Sequence, residues 1–156
     1  MKTTTMNLES LKIPVTDILS NTNKTVEERL DMVCELLKSS VSYYNWVGFY
    51  FKNGDKNELK LKSFAGEPTE HTIIPFGKGI CGQVAESNEN FVVPDVYAQD
   101  NYIACSIDVK SEIVIPLFVN GENIGQIDID SHEIDPFNTE DESFLEFVNK
   151  KVAEIL

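Results

Sequence analysis

The sequence predicts an α+β fold, an antiparallel sheet with helices packed mainly on one side. Three observations carry this. Two amphipathic segments with 3.6-residue apolar spacing, each opened by a capping-box pattern, stand towards the two ends of the chain. Between them lie aromatic and β-branched runs joined by turns such as Asn53-Gly54 and Asn120-Gly121. The order helix, hairpin, short helix, hairpin, helix lacks the repeated βα alternation of a parallel sheet.

The chain has 156 residues, which fits one domain over residues 1–156 with a real hydrophobic core. Its net charge of −13 argues against nucleic acid and anionic membrane as partners, since both require basic patches. No apolar run approaches the roughly 18 residues that span a bilayer. The segment MKTTTMNLES lacks the apolar stretch of a secretory signal. Three cysteines, Cys34, Cys81 and Cys105, do not make a disulfide framework, so the reducing cytoplasm is the expected location. No CxxC or Cys/His cluster with zinc spacing occurs, and no metal site is expected.

Residues 1–24 read as a loose N-terminal arm with a turn or two of helix before Ser20-Asn21, because Pro14 interrupts anything longer. Thr25 and Glu28 form a capping box, and Val26, Leu30, Val33, Leu36, Leu37 and Val41 carry the helical stripe. Cys34 lies near that stripe and reads as a small core hydrophobe. Tyr43 to Lys52 is an aromatic strand with Tyr44, Trp46, Gly48 and Tyr50 on one face. Trp46 and Tyr50 have polar handles suited to a pocket wall, although aromatics of this kind also fill cores. Glu58 to Ala65 is its hairpin partner, and His71 to Phe76 a short strand.

Residues 77–82, GKGICG, match a dinucleotide-binding glycine pattern in form only. The required βαβ unit and the acid about 20 residues on are missing. These glycines instead allow a tight turn into a short helix from Ile80 to Glu86. Cys81 then falls in the first helical turn, where free N–H groups and the dipole favour a thiolate and a redox role, although a buried thiol would look the same. Phe91 to Val93 is a strand ended by Pro94, and Asp95 to Ser106 a polar loop with Tyr97 and Tyr102 as anchors. Thr139 and Glu142 start the final helix, whose stripe is Leu145, Val148, Val152 and Ile155.

Residues 101–131 hold the chemistry. Cys105 precedes the apolar run from Glu112 to Val119, which turns at Asn120-Gly121 into Ile124 to Asp130. In a strand Asp128 and Asp130 share one face and Ile127 and Ile129 the other. Acids on one face of an apolar strand are costly to bury unless a cation or a proton meets them. A thiol, a glutamate and an aspartate pair are therefore the candidate site. A Ca²⁺ or Mg²⁺ site would also use such acids, but the Asp/Asn-rich loop those ions favour is absent.

Taken in order, NWVGFY (45–50), IPFGKGICG (74–82), IAC (103–105), SEIVIPL (111–117) and GQIDIDS (125–131) resemble the free methionine-(R)-sulfoxide reductases, small enzymes of the GAF fold. The resemblance implies a central six-stranded antiparallel sheet and a homodimer. It implies reduction of free L-methionine (R)-sulfoxide without a bound cofactor, with thioredoxin recycling the resulting disulfide. It assigns the nucleophile to Cys105, the pocket acids to Glu112, Asp128 and Asp130, and the pocket aromatics to Trp46 and Tyr50. Alignment through Ile74-Pro75 places His71 where the common three-cysteine form has its resolving cysteine. The pair Cys81 and Cys105 is similar to a two-cysteine subclass in which Cys81 resolves. The chemistry suits these residues. Asp128 and Asp130 would hold the substrate ammonium, and Glu112 would protonate the departing oxygen. The alternative is a non-catalytic GAF domain that binds a small amino-acid-like ligand as a sensor.

Overall fold

The computed structural model describes residues 7–99 and 108–156, so Cys105 and Tyr102 lie outside the described residues. Four helices and six strands follow one another in the described chain. They are α1 (Leu8–Leu19), α2 (Val26–Ser40), β1 (Trp46–Lys52), β2 (Glu58–Ala65), β3 (Ile73–Pro75), α3 (Gly79–Ser87), β4 (Phe91–Val93), β5 (Ser111–Val119), β6 (Glu122–Ser131) and α4 (Thr139–Ala153). The strands form one antiparallel sheet in the order β3-β2-β1-β6-β5-β4.

The strand periodicity divides the sheet into two faces with different cores. Val47, Phe49, Ile113, Ile115, Ile127 and Ile129 point to one face, where α1, α2 and α4 cover them. Tyr50, Val93, Val114 and Trp46 point to the other, under α3. Three helices on one side and one short helix on the other match the expected arrangement. Cys34 is fully buried in the three-helix core, as its place on α2 predicts.

The N-terminal segment departs from expectation. Instead of a loose arm, α1 runs for 12 residues straight through Pro14. An interior proline costs about 3 kcal/mol through the lost hydrogen bond and the ring clash. Leu11, Val15 and Leu19 recur every four residues and are buried against α2 and α4. At about 1.5–3 kcal/mol for each buried side chain, their packing outweighs the proline. Asn7 caps the helix by accepting from the Glu9 N–H at 2.8 Å.

Several smaller differences lie mostly at element ends, and tertiary partners explain the first two. The first strand begins at Trp46 rather than Tyr43, and Tyr44 faces the three-helix core. There its hydroxyl donates to the Asp141 carboxylate at 2.6 Å, and the Tyr43 hydroxyl donates to the same oxygen at 2.9 Å. Asp141 is in turn half of the capping box of α4, with Asn138 as the N-cap in place of the expected Thr139. His71 and Thr72 precede β3, and Tyr97 is exposed rather than an anchor. Ile155 lies past the end of α4.

Two strand details position the site. Asn120 and Gly121 both have positive φ (52° and 80°), so the β5–β6 hairpin turns in two residues with Val119 opposite Glu122. Between β1 and β2 the register slips by one at Phe49/Tyr50, leaving Lys62 as the extra residue. The slip turns Leu59 and Leu61 to the α3 side while Ala65 joins the three-helix core.

Candidate active site

The acids foreseen in the sequence stand in register on the α3 face. Glu112 on β5 is directly opposite Asp130 on β6, which is directly opposite Trp46 on β1. One row along, Val114 faces Asp128, and Asp128 faces Gly48. Glu112, Asp128 and Asp130 are only 5%, 1% and 1% exposed. No cationic side chain pairs with Asp128 or Asp130 among the described ion pairs. Burial pushes the carboxyls of Asp128 and Asp130 up, and the charge of Asp128 raises Asp130 further. Hydrogen bonding with Glu112 works against the rise in both. Asp128 Oδ1 and Asp130 Oδ2 are buried without a hydrogen-bond partner among the described residues. A cluster of this kind awaits a cation or protons.

Trp46 forms a wall of the site because glycines make room for it. The indole lies over Gly48, where an added Cβ would run into the ring, and Gly66 sits against its other end at a positive φ of 124°. The ring stacks on Phe64 with centroids 5.7 Å apart, and its Nε1–H donates to the Glu67 carbonyl at 2.9 Å. Tyr50 stands 6.4 Å from Trp46, centroid to centroid, and donates its hydroxyl to the His71 carbonyl at 2.8 Å.

Helix α3 brings the thiol. Gly77 and Gly79 take positive φ, and Gly82 packs so closely on Pro75 that a Cβ would meet the Pro75 carbonyl at 2.6 Å. The first turn of α3 is thereby pressed onto the sheet, with Cys81 Sγ 3.8 Å from Glu112 Oε2. Here burial opposes the thiolate that the helix N-terminus favours. Burial pushes the Cys81 thiol well up, and the charges of Asp128 and Glu112 add to the rise. The helix dipole acts only within about 1 kcal/mol at such a terminus, less than burial among acids.

Sequence reasoning missed Gln126. It is fully buried on the same face as Asp128 and Asp130, and its Nε2 donates to the Cys81 carbonyl at 3.2 Å. The signal was there in the alternation Gln126, Asp128, Asp130 along one strand face.

Two cavities border this cluster, and no described residue lines both. The larger, about 750 Å³, is lined by Trp46, Asp130, Asn45, Glu67, Val109 and His132 among others. The smaller, about 20 Å³, is bounded by Tyr50, His71, Cys81, Glu112 and Asp128. Of the two, only the larger has the size of a small-molecule site. Cys34 lines neither cavity: its side chain is buried in the three-helix core, although the next residue, Glu35, lines the larger one.

This sheet and its flanking helices define a GAF domain, and the GAF domain family matches residues 23–156. The free methionine-R-sulfoxide reductase of Saccharomyces cerevisiae is 38% identical over 123 residues, covering 78% of this chain and 68% of that protein. The enzyme of the same name from Escherichia coli is 35% identical over 138 residues, covering 88% and 75%. The X-ray structure of the free methionine-R-sulfoxide reductase from Neisseria meningitidis in complex with its substrate superposes with a TM-score of 0.89 at 30% identity, covering 99% and 93%. The chain belongs to the free methionine-R-sulfoxide reductase family of GAF domains.

Proposed function

We propose that this chain reduces free L-methionine (R)-sulfoxide to L-methionine, with Cys105 as nucleophile and thioredoxin as the reductant that resets it. The observation that carries the reading is the buried row Glu112–Asp130–Trp46, with unpartnered oxygens on Asp128 and Asp130 beside it. Free methionine sulfoxide is a zwitterion. Its ammonium supplies the positive charge that the two aspartates lack, and desolvation inside the site strengthens the pairing. The Trp46 face packs against the methyl and thioether end and excludes water.

The thiol of Cys105 attacks the sulfoxide sulfur, and a protonated carboxyl, assigned to Glu112, donates to the oxygen. The S–O bond of the substrate breaks as the hydroxyl oxygen passes to the Cys105 sulfur, the thiol proton restores Glu112, and methionine leaves with Cys105 as a sulfenic acid. The Cys81 thiol condenses with it, releasing water and forming the Cys81–Cys105 disulfide. Thioredoxin reduces that disulfide to two thiols as its own dithiol is oxidised. The acids around Cys81 suit this order of events, because they keep its thiol protonated until the sulfenic acid has formed. No bound cofactor is needed.

The same reading takes residues 1–156 as one domain, supported by the way α1 shares the core of α2 and α4. It places the protein in the cytoplasm, as a homodimer. No helix among the described residues is long and apolar enough to cross a membrane.

The test is thioredoxin-coupled NADPH oxidation with each diastereomer of free methionine sulfoxide. Turnover of the R form alone, abolished by Cys105→Ser, is expected. Tight methionine binding without turnover would replace the enzyme with the sensor reading.

A further inference from the structure

On the α3 side of the sheet, three elements each bring one ligand atom to a common point. Cys81 Sγ from α3, a Glu112 carboxylate oxygen from β5 and an Asp128 carboxylate oxygen from β6 lie within 4.8 Å of one another. All three residues are buried. We propose that this trio is a binding site for a single divalent cation of the zinc class, filled only while Cys81 is reduced.

The geometry suits the ion. Around tetrahedral zinc, a sulfur at about 2.3 Å and an oxygen at about 2.0–2.2 Å stand roughly 3.5 Å apart. Cys81 Sγ and Glu112 Oε2 are 3.8 Å apart, near that spacing, and the three atoms, all within 4.8 Å of one another, draw together around the ion. Two observations besides the cluster point to a ligand. Asp128 is 1% exposed, yet its Oδ1 has no hydrogen-bond partner among the described residues. The cavity of about 20 Å³ bounded by Cys81, Glu112 and Asp128 has room for one water or ion and nothing larger.

The donor set selects the ion class. Calcium and magnesium take six or more oxygens and have little affinity for a thiolate. Zinc accepts sulfur and carboxylate together, and it displaces the thiol proton on binding. The residues are those to which the reductase reading gives the ammonium, the leaving oxygen and the resolving thiol. Bound zinc therefore competes with the sulfoxide, and disulfide formation at Cys81 expels the ion by removing its thiolate. Binding itself does not depend on that reading, and it is measured without turnover.

The experiment titrates the full-length, reduced chain with cobalt(II) under anaerobic conditions and follows the thiolate-to-cobalt charge-transfer band. The expected result is saturation at one cobalt per chain, with the band bleached by one equivalent of zinc. Cys81→Ser abolishes the band, whereas Cys34→Ser and Cys105→Ser retain it. Asp128→Asn and Glu112→Gln keep the thiol and lower zinc affinity by at least about 10-fold. Circular dichroism verifies that each variant is folded, and the two carboxylate variants decide the matter if Cys81→Ser is not. A band that survives Cys81→Ser or disappears with Cys105→Ser overturns the proposal. So does the absence of stoichiometric zinc binding to the reduced wild-type chain, whether or not that chain reduces methionine sulfoxide.

Discussion

The six-membered ring of the Trp46 indole occupies the space that a side chain on Gly48, two residues along the same strand face, would take. The site therefore depends on a missing side chain as much as on those present. A methyl group at position 48 would overlap the six-membered ring, and Phe64 and Gly66 close off the ring's other directions. Gly48→Ala is expected to lower stability by about 1–3 kcal/mol through overpacking. It should also raise KM for the sulfoxide, because the wall of the larger cavity moves. Trp46 is the sole tryptophan, so its fluorescence reports the displacement directly. An unchanged emission spectrum together with unchanged KM would count against the assigned role of the ring.

The buried acids predict how stability depends on pH. Asp128 and Asp130 have carboxyls raised above their ordinary values, mainly by burial. A group whose folded-state value is raised binds its proton more tightly when folded. Its stabilising contribution is complete below the unfolded-state value of about 3.9 and is lost as pH rises through the folded-state value. The ligand-free protein should lose melting temperature as pH rises above about 4 towards neutrality. Asp130→Asn should flatten that slope and stabilise the neutral protein. Thermal scans from acid to neutral pH measure both curves, and a steeper fall in the variant would contradict the account.

The two described thiols, Cys34 and Cys81, lie on opposite faces of the sheet. Cys34 lies in the core of α1, α2 and α4, with the sheet between it and Cys81. Cys34→Ala should leave thioredoxin-driven cycling intact and cost roughly 1 kcal/mol or somewhat more through lost packing. Cys81→Ser should permit one stoichiometric turnover and then stop cycling. Quenched-flow measurement of methionine released per chain distinguishes the two. Continued cycling in Cys81→Ser would mean that the reductant attacks the sulfenic acid itself.

Asp141 joins the start of α4 to the residues that lead into β1. It accepts from the Tyr43 and Tyr44 hydroxyls and from the Asn138 N–H. Asp141→Ala removes half a capping box and leaves two hydroxyls unpaired, one of them fully buried. The expected loss is about 2–4 kcal/mol, read from the urea midpoint. Tyr43→Phe, whose ring is only half-buried, should cost much less. Equal losses in the two variants would show that the network is not centred on the carboxylate.

Much of the fold was legible because it rests on local rules. The Thr25/Glu28 capping box, the Asn120-Gly121 turn and the alternation of Ile127 and Ile129 with Asp128 and Asp130 are dictated by backbone chemistry within a few residues. They suffice to set helix α2, the β5–β6 hairpin and the face to which the acids point. The residues that carry the family resemblance are likewise short-range blocks. What tertiary structure alone decided are outcomes of competition between distant groups. Pro14 sits inside a helix because Leu11, Val15 and Leu19 find partners on α2 and α4. Tyr44 turns to the three-helix core because Asp141, 97 residues away, accepts its hydroxyl. Cys81 is a protonated thiol rather than a helix-terminus thiolate because α3 presses it against Glu112 and Asp128. A side chain's charge depends on what surrounds it in space, and for Cys81 those surroundings come from strands β5 and β6, more than 30 residues further along the chain.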